Sequence, residues 1–213
     1  MGDVIVSTPE ATLPGFLQMP VVHRGTVVFA HGSGSSRLSP RNQAVAGVLE
    51  GEGFATLLFD LLTPEEALDR RNVFDIELLG RRLEDATSWL RSELTEEKPL
   101  GYFGASTGAA AALLAAADLG ESVLAVVSRG GRPDLAGAAL PRVMAPTLLI
   151  VGSRDTDVLE LNRRALGLMR ANARLEVIEG ATHLFEEEGT LERVADLASA
   201  WFRAHLSGGV SSS

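Results

Sequence analysis

Residues 100–120 read LGYFGASTGAAAALLAAADLG: a short apolar run, the turn Gly104-Ala105-Ser106-Thr107-Gly108, then a stretch of alanine and leucine that favours helix strongly. A serine on such a strand-to-helix turn is held in a strained backbone conformation. Glycines two residues before and two after it remove side chains that would collide in so tight a bend. The turn pushes Oγ out at a helix N-terminus, where the unpaired amides of the first turn, beginning with Thr107, can stabilise a developing oxyanion. The pattern predicts a strand over 100–104, a helix over 107–119 and a nucleophilic Ser106 between them. As a bare pattern G-x-S-x-G arises by chance in a chain with 22 glycines, so its weight comes from the strand before it and the helix after it.

The same grammar runs outward in both directions. Short runs of Val, Ile, Leu and Phe alternate with segments of helical periodicity, which predicts an α/β fold with an eight-stranded, mostly parallel sheet covered by helices on both faces. The strands fall at 3–7, 14–20, 26–31, 55–60, 100–104, 124–129, 147–152 and 174–180, the first two suited to an antiparallel edge. Helices are expected near 41–51, 72–95, 107–119, 157–171 and 190–206, with room for a short one after Pro133. Ser39-Pro40 offers a capping hydroxyl and a proline for the first helical position, and Gly51 and Gly53 can end that helix. Leu83, Ala86, Leu90 and Leu94 form an apolar stripe opposite Arg81, Glu84, Asp85 and Arg91, which read as a solvated face. No repeat or linker interrupts the pattern, so residues 1–206 read as a single domain and the small, polar tail 207–213 as frayed.

Composition removes several functions. A formal charge of −9 repels a polyanion, so nucleic-acid binding is not expected. With no cysteine, neither a disulfide framework nor thiolate chemistry is available. The first thirty residues lack the basic start and apolar run of a signal peptide, and no stretch suits a membrane span, so a cytoplasmic protein is expected, with no membrane partner.

Ligands of an open parallel sheet gather outside the carboxyl ends of its strands. Besides the Ser106 turn, three such ends carry chemistry. Ala30-His31-Gly32-Ser33-Gly34-Ser35-Ser36 follows the third strand and can lend a second oxyanion donor, the Ser33 amide, beside that of Thr107. His31 lies on the wrong side of the serine in chain order to be its base, and reads as a loop-holding residue. Asp155 closes Gly152-Ser153-Arg154-Asp155, and His183 closes Gly180-Ala181-Thr182-His183. A serine hydroxyl needs a base, and the base an orienting acid; serine, acid, histidine is the chain order of the α/β-hydrolase triad. Asp157 is the rival acid, although its place also suits a helix cap. His23 and His205 show no partner pattern.

The segments HGSGSSRLSPRN (31–42), GASTGAAAAL (104–113), VSRGGRPDLAG (127–137), APTLLIVGSRD (145–155) and GATHLFEE (180–187) resemble the dienelactone-hydrolase-related branch of the α/β-hydrolase superfamily, over nearly the whole chain. That branch includes relatives beside or fused to phosphoribosyltransferase domains. The resemblance implies a nucleophile at Ser106, an acid at Asp155, a base at His183 and an oxyanion loop near Ser33, with no cofactor. It also makes a phosphoribosyltransferase a conceivable partner and leaves a homodimer open. One departure limits it: dienelactone hydrolases use a cysteine at the elbow, so their lactone substrate does not carry over.

Only residues 130–146 separate the sixth and seventh strands, too few for a helical lid, which predicts an open cleft and small soluble acyl substrates. Arg129, Arg132 and Arg37 lie near strand ends where an arginine can clamp a substrate carboxylate; ion pairs to acids such as Asp134 are the plainer use. Asp60 reads as a loop anchor, and Glu186-Glu187-Glu188 as a solvated patch without a metal. The expectation is therefore a serine hydrolase of small carboxylic esters, thioesters or lactones working through an acyl-enzyme. Two alternatives stay open: a non-catalytic binding or regulatory module of the same fold, and acyl transfer or perhydrolysis on the same triad. No G-x-G-x-x-G follows the first strand of a βαβ unit, against a dinucleotide-binding oxidoreductase.

Overall fold

Six parallel strands lie side by side behind an antiparallel edge, with the segments that are apolar throughout placed inside the sheet. The computed structural model describes residues 2–94 and 98–206. In chain order the elements are β1 (Gly2–Ser7), β2 (Thr12–Gln18), β3 (Thr26–Ala30), α1 (Pro40–Gly51), β4 (Ala55–Phe59), α2 (Arg70–Val73), α3 (Ile76–Glu93), β5 (Leu100–Ala105) and α4 (Thr107–Leu119), followed by β6 (Ala125–Arg129), β7 (Thr147–Gly152), α5 (Thr156–Leu166), β8 (Ala173–Ile178) and α6 (Thr190–His205). The sheet has eight strands in the order β1-β2-β4-β3-β5-β6-β7-β8. β1 pairs antiparallel with β2 and β2 antiparallel with β4, and every further pairing is parallel. All residues of β3, β4, β5, β6 and β7 are buried, as continuous apolar strands covered on both faces must be, whereas edge strands β1 and β8 keep exposed positions.

The pleat divides the core in two. Tyr102 on β5 points with Val28 and Leu57 toward α3 and α4, and Phe103 points with Phe29 and Leu58 toward α1 and α6. Phe29 and Phe103 meet with ring centroids 4.9 Å apart, a contact that adds about 0.5–1.5 kcal/mol beyond area burial. The Tyr102 hydroxyl, wholly buried, is satisfied by Thr87 Oγ1 at 2.6 Å. α4 carries seven alanines in its thirteen residues and is buried on most sides, so it lies close against the sheet and brings its N-terminus to the end of β5.

Helix starts follow local chemistry. Ser39 Oγ accepts from the Asn42 amide and Pro40 takes the first helical position of α1. The helix expected over 72–95 is instead divided into α2 and α3. Asp69 caps α2 and Asp75 caps α3 by accepting from Leu78 N–H at 2.9 Å, so an aspartate that falls within the periodic pattern starts a new helix. Residue 95 of that expectation, and the expected frayed tail 207–213, lie outside the described residues. α5 stops at Leu166, short of the expected 171, with Gly167 in the capping position. Between β6 and β7, residues 133–142 form a kinked 3-10 helix packed against α4 and α5 in place of a lid. Among the described residues no helix is long and apolar enough to cross a membrane.

Candidate active site

Ser106 sits at φ 51° and ψ −121°, and with Phe185 it is one of two non-glycine residues at positive φ among those described. Such a conformation costs of order 1–3 kcal/mol and persists because its surroundings fix it. Ser106 N–H donates to Arg129 O at 3.2 Å, and Ser106 O accepts from the amides of Ala109 at 3.1 Å and Arg132 at 3.0 Å. The glycines flanking the turn are required by packing. A Cβ on Gly104 would lie 2.4 Å from Ala109 Cα, and one on Gly108 would lie 2.2 Å from Ala30 O and 2.4 Å from His31 O. Both clashes are with backbone, which no rotamer change relieves. Gly108→Ala is therefore expected to destabilise the fold by about 3 kcal/mol, seen as a lower urea midpoint at unchanged m-value. A midpoint equal to wild type would mean that the elbow has slack the packing does not reveal.

His183 Nδ1 lies 2.6 Å from Asp155 Oδ2. Asp155 stands at the N-terminus of α5 without capping it, its carboxylate given to the histidine instead, while exposed Asp157 stays in the helix's first turn. Of the two acids the sequence offered, the structure brings Asp155 to His183. The Asp155 side chain is 14% exposed and that of His183 38%, so the acid is shielded while the imidazole reaches the cleft. That approach depends on Gly152 at the end of β7, where a Cβ would lie 2.3 Å from Ala181 O. The histidine loop is closed by Glu187, which accepts from the Thr182 amide at 3.1 Å. This bond holds the Glu187 carboxyl below its usual range. The acidic run is thus not simply a solvated patch: Glu187 shapes the loop and Glu186 reaches Arg41 at 3.5 Å.

Ser106 and His183 line one cleft of about 210 Å³, together with Gly32, Ser33, Arg41, Asn42 and Arg129. They share it without a direct hydrogen bond between their side chains. The loop after β3 presses on Ser106, since a Cβ on Gly32 would lie 2.9 Å from Ser106 Cβ. His31 is buried under it, its Nε2 accepting from Leu61 N–H and its Nδ1 donating to Gly32 O, each at 3.0 Å. Burial pushes its pKa down, so it holds the loop as a neutral imidazole. The second oxyanion donor departs from expectation. Ser33 N–H donates to Thr107 Oγ1 at 2.8 Å, so in this state it is engaged by the residue whose amide was to work beside it. An oxyanion would have to take that amide from the Thr107 hydroxyl, whereas the Thr107 amide opens the first turn of α4, which makes no demand on it.

The arginines separate. Arg37 is not a cleft residue: its amide and Nη1 donate to Asp60 at 2.6 and 2.5 Å, and its guanidinium lies over Phe16, which corrects its assignment to substrate. Asp60 anchors the loop as expected. Arg132 donates twice to Asp134 at 2.9 and 2.8 Å. Arg129 alone of the three lines the cleft. Sequence reasoning missed Arg41 and Asn42 in the first turn of α1, and Asn162, buried in α5, whose Nδ2 donates to Gly131 O. The 32–36 loop also borders a largely apolar cavity of about 250 Å³ lined by Leu61, Leu62, Val73 and Leu79. Among the described residues no group of His, Cys, Asp and Glu is arranged to hold a metal.

Residues 23–201 match the family described as alpha/beta hydrolase domain. The chain is similar to the crystal structure of a dienelactone hydrolase from Anabaena variabilis, with TM-score 0.92 and 55% identity over 96% of this chain and 97% of that one. It superposes on Est1E from Butyrivibrio proteoclasticus with TM-score 0.81 at 16% identity, over 96% and 98% of the two chains, a likeness of fold. Two Mycobacterium tuberculosis proteins named "Putative phosphoribosyl transferase" are 62% identical over 207 residues, 97% of this chain and 47% of theirs. The chain thus spans about half the length of these curated relatives.

Proposed function

The chain belongs to the α/β-hydrolase family, in its dienelactone-hydrolase-like part, and we propose that it is a serine hydrolase acting on small soluble esters, thioesters or lactones. The observation that carries this reading is the 2.6 Å contact between Asp155 and His183, with His183 and the strained Ser106 lining one cleft. In the proposed reaction His183 takes the Ser106 proton as Oγ attacks the carbonyl carbon, and Asp155 holds the imidazole by its Nδ1–H and stabilises the imidazolium. The Thr107 amide receives the oxyanion, joined by the Ser33 amide once the Thr107 hydroxyl turns away. His183 then protonates the departing alcohol or thiol. Water, deprotonated in turn by His183, attacks the acyl-enzyme, releasing the acid and restoring Ser106.

The lidless connection after β6 supports small, water-soluble substrates. The name phosphoribosyl transferase is carried by chains about twice as long, and the elbow and its cleft equip this portion for hydrolysis. A phosphoribosyltransferase domain enters as a proposed partner, not as the activity of this chain. Short-chain aryl esters test the reading. Turnover by the purified protein that disappears in Ser106→Ala supports it, and absence of turnover with every such ester from a folded protein would favour a binding module.

A further inference from the structure

The serine chemistry leaves one buried cation in the cleft without a task. Arg129 ends β6 beside the elbow, as register partner of Ala105, the residue before Ser106. It is 7% exposed, yet no carboxylate among the described residues pairs with it. Its guanidinium donates once, from Nη2 to Asn42 Oδ1 at 3.3 Å, and its Nε is buried without a partner. The Phe185 ring lies 5.9 Å away. Arg41, whose Nε is likewise buried and unpartnered, lines the same cleft, with Glu186 3.5 Å from its Nη1. Burial, and after it repulsion from Arg41, pushes the Arg129 guanidinium down to about 10. A structural arginine is normally placed against an acid, as Arg37 is against Asp60 and Arg132 against Asp134. Arg129 is held where no acid among the described residues compensates its charge.

We propose that Arg129, with Arg41 beside it, binds an anionic oxyacid group of the substrate, carboxylate or phosphate, so that the enzyme selects esters carrying negative charge a few bonds from the scissile carbonyl. The inference rests on the hydrolase reading of Ser106. The guanidinium fork matches two oxygens of such a group, Asn42 fixes the fork from behind, and Phe185 supports its face. The cleft of about 210 Å³ equals roughly seven water volumes at ~30 Å³ each, room for a short fragment, and both Ser106 and Arg129 line it. The overall charge of −9 makes this cationic lining a local exception on the molecule.

Matched aryl esters test the proposal: one whose acyl chain ends in a free carboxylate, one of similar length ending in phosphate, and the neutral methyl-capped form of each. Wild type should favour a charged ester over its neutral form by about 10- to 100-fold in kcat/KM, the scale of a charge-assisted hydrogen bond, and the preferred member identifies the anion. In Arg129→Met that ratio should fall toward one, with Arg129→Lys between and Arg41→Gln reducing it less. Because no acid is left behind, the melting temperature of Arg129→Met should not drop; a structural role would lower it and leave the ratio unchanged. If Arg129→Met does not fold, the wild-type ratio and Arg41→Gln decide. Equal kcat/KM for charged and neutral esters in wild type overturns the subsite while leaving the hydrolase standing. Failure of wild type to turn over any ester or to take a fluorophosphonate on Ser106 overturns the hydrolase reading itself.

Discussion

Ser106→Ala should lower ester turnover by about 10⁴- to 10⁶-fold, the scale on which acyl-transfer enzymes lose rate when the nucleophile of a coupled triad is removed. The loss should fall on kcat, because the hydroxyl forms the bond that changes in the transition state and contributes little to holding the substrate. Stability should not fall with it. Among the described residues Ser106 Oγ has no hydrogen-bond partner, and the positive φ that alanine inherits is fixed by the Arg129, Ala109 and Arg132 backbone contacts, which survive the substitution. Circular dichroism and the urea midpoint check this, so that inactivity is not mistaken for unfolding. A variant retaining more than about a hundredth of wild-type rate would place the nucleophile elsewhere.

Asp155→Asn should cost about 10⁴-fold in kcat with the geometry nearly intact. The carboxylate accepts from His183 Nδ1–H and leaves Nε2 free to take the serine proton. An amide at that place can present its NH₂ to Nδ1, which shifts the proton to Nε2 and fixes the wrong tautomer. Asp157→Asn is the control, since this acid is exposed in the first turn of α5 and does not meet the histidine, and it should change the rate by less than about twofold. Equal effects of the two substitutions would mean that the 2.6 Å contact does not serve the reaction.

How far the sequence could be read follows from the range over which each signal acts. The elbow was legible because its determinants are local: an apolar strand, two glycines whose Cβ would strike backbone, and an alanine helix, all within residues 100–120. The strand set was legible for a related reason, since burial on both faces demands runs such as TVVFA and ATLLF. The division of α2 from α3 was hidden because Asp75 falls within a periodic pattern, and only the folded backbone shows its carboxylate turned onto Leu78 N–H. The arginines were indistinguishable in sequence. Arg37 and Arg129 differ in function only because Asp60 folds against one, while Asn42, which brings no charge, folds against the other. The tie between Ser33 and Thr107, 74 residues apart, and the closure of the histidine loop by Glu187 are likewise products of the assembled sheet. Arg41 and Asn42 went unseen because PRNQAVAGVLEG shows little contrast between its faces, so nothing marked which side of α1 turns to the cleft.

Whether Ser106 is chemically activated decides the rest, and covalent labelling reads it without knowledge of the substrate. The purified protein is treated with a fluorophosphonate and the adduct located by peptide mass spectrometry, with His183→Ala treated in parallel. A stoichiometric adduct on Ser106 that is lost in folded His183→Ala is the outcome the site geometry demands. An unlabelled Ser106 in folded wild-type protein, or equal labelling with and without His183, would contradict it.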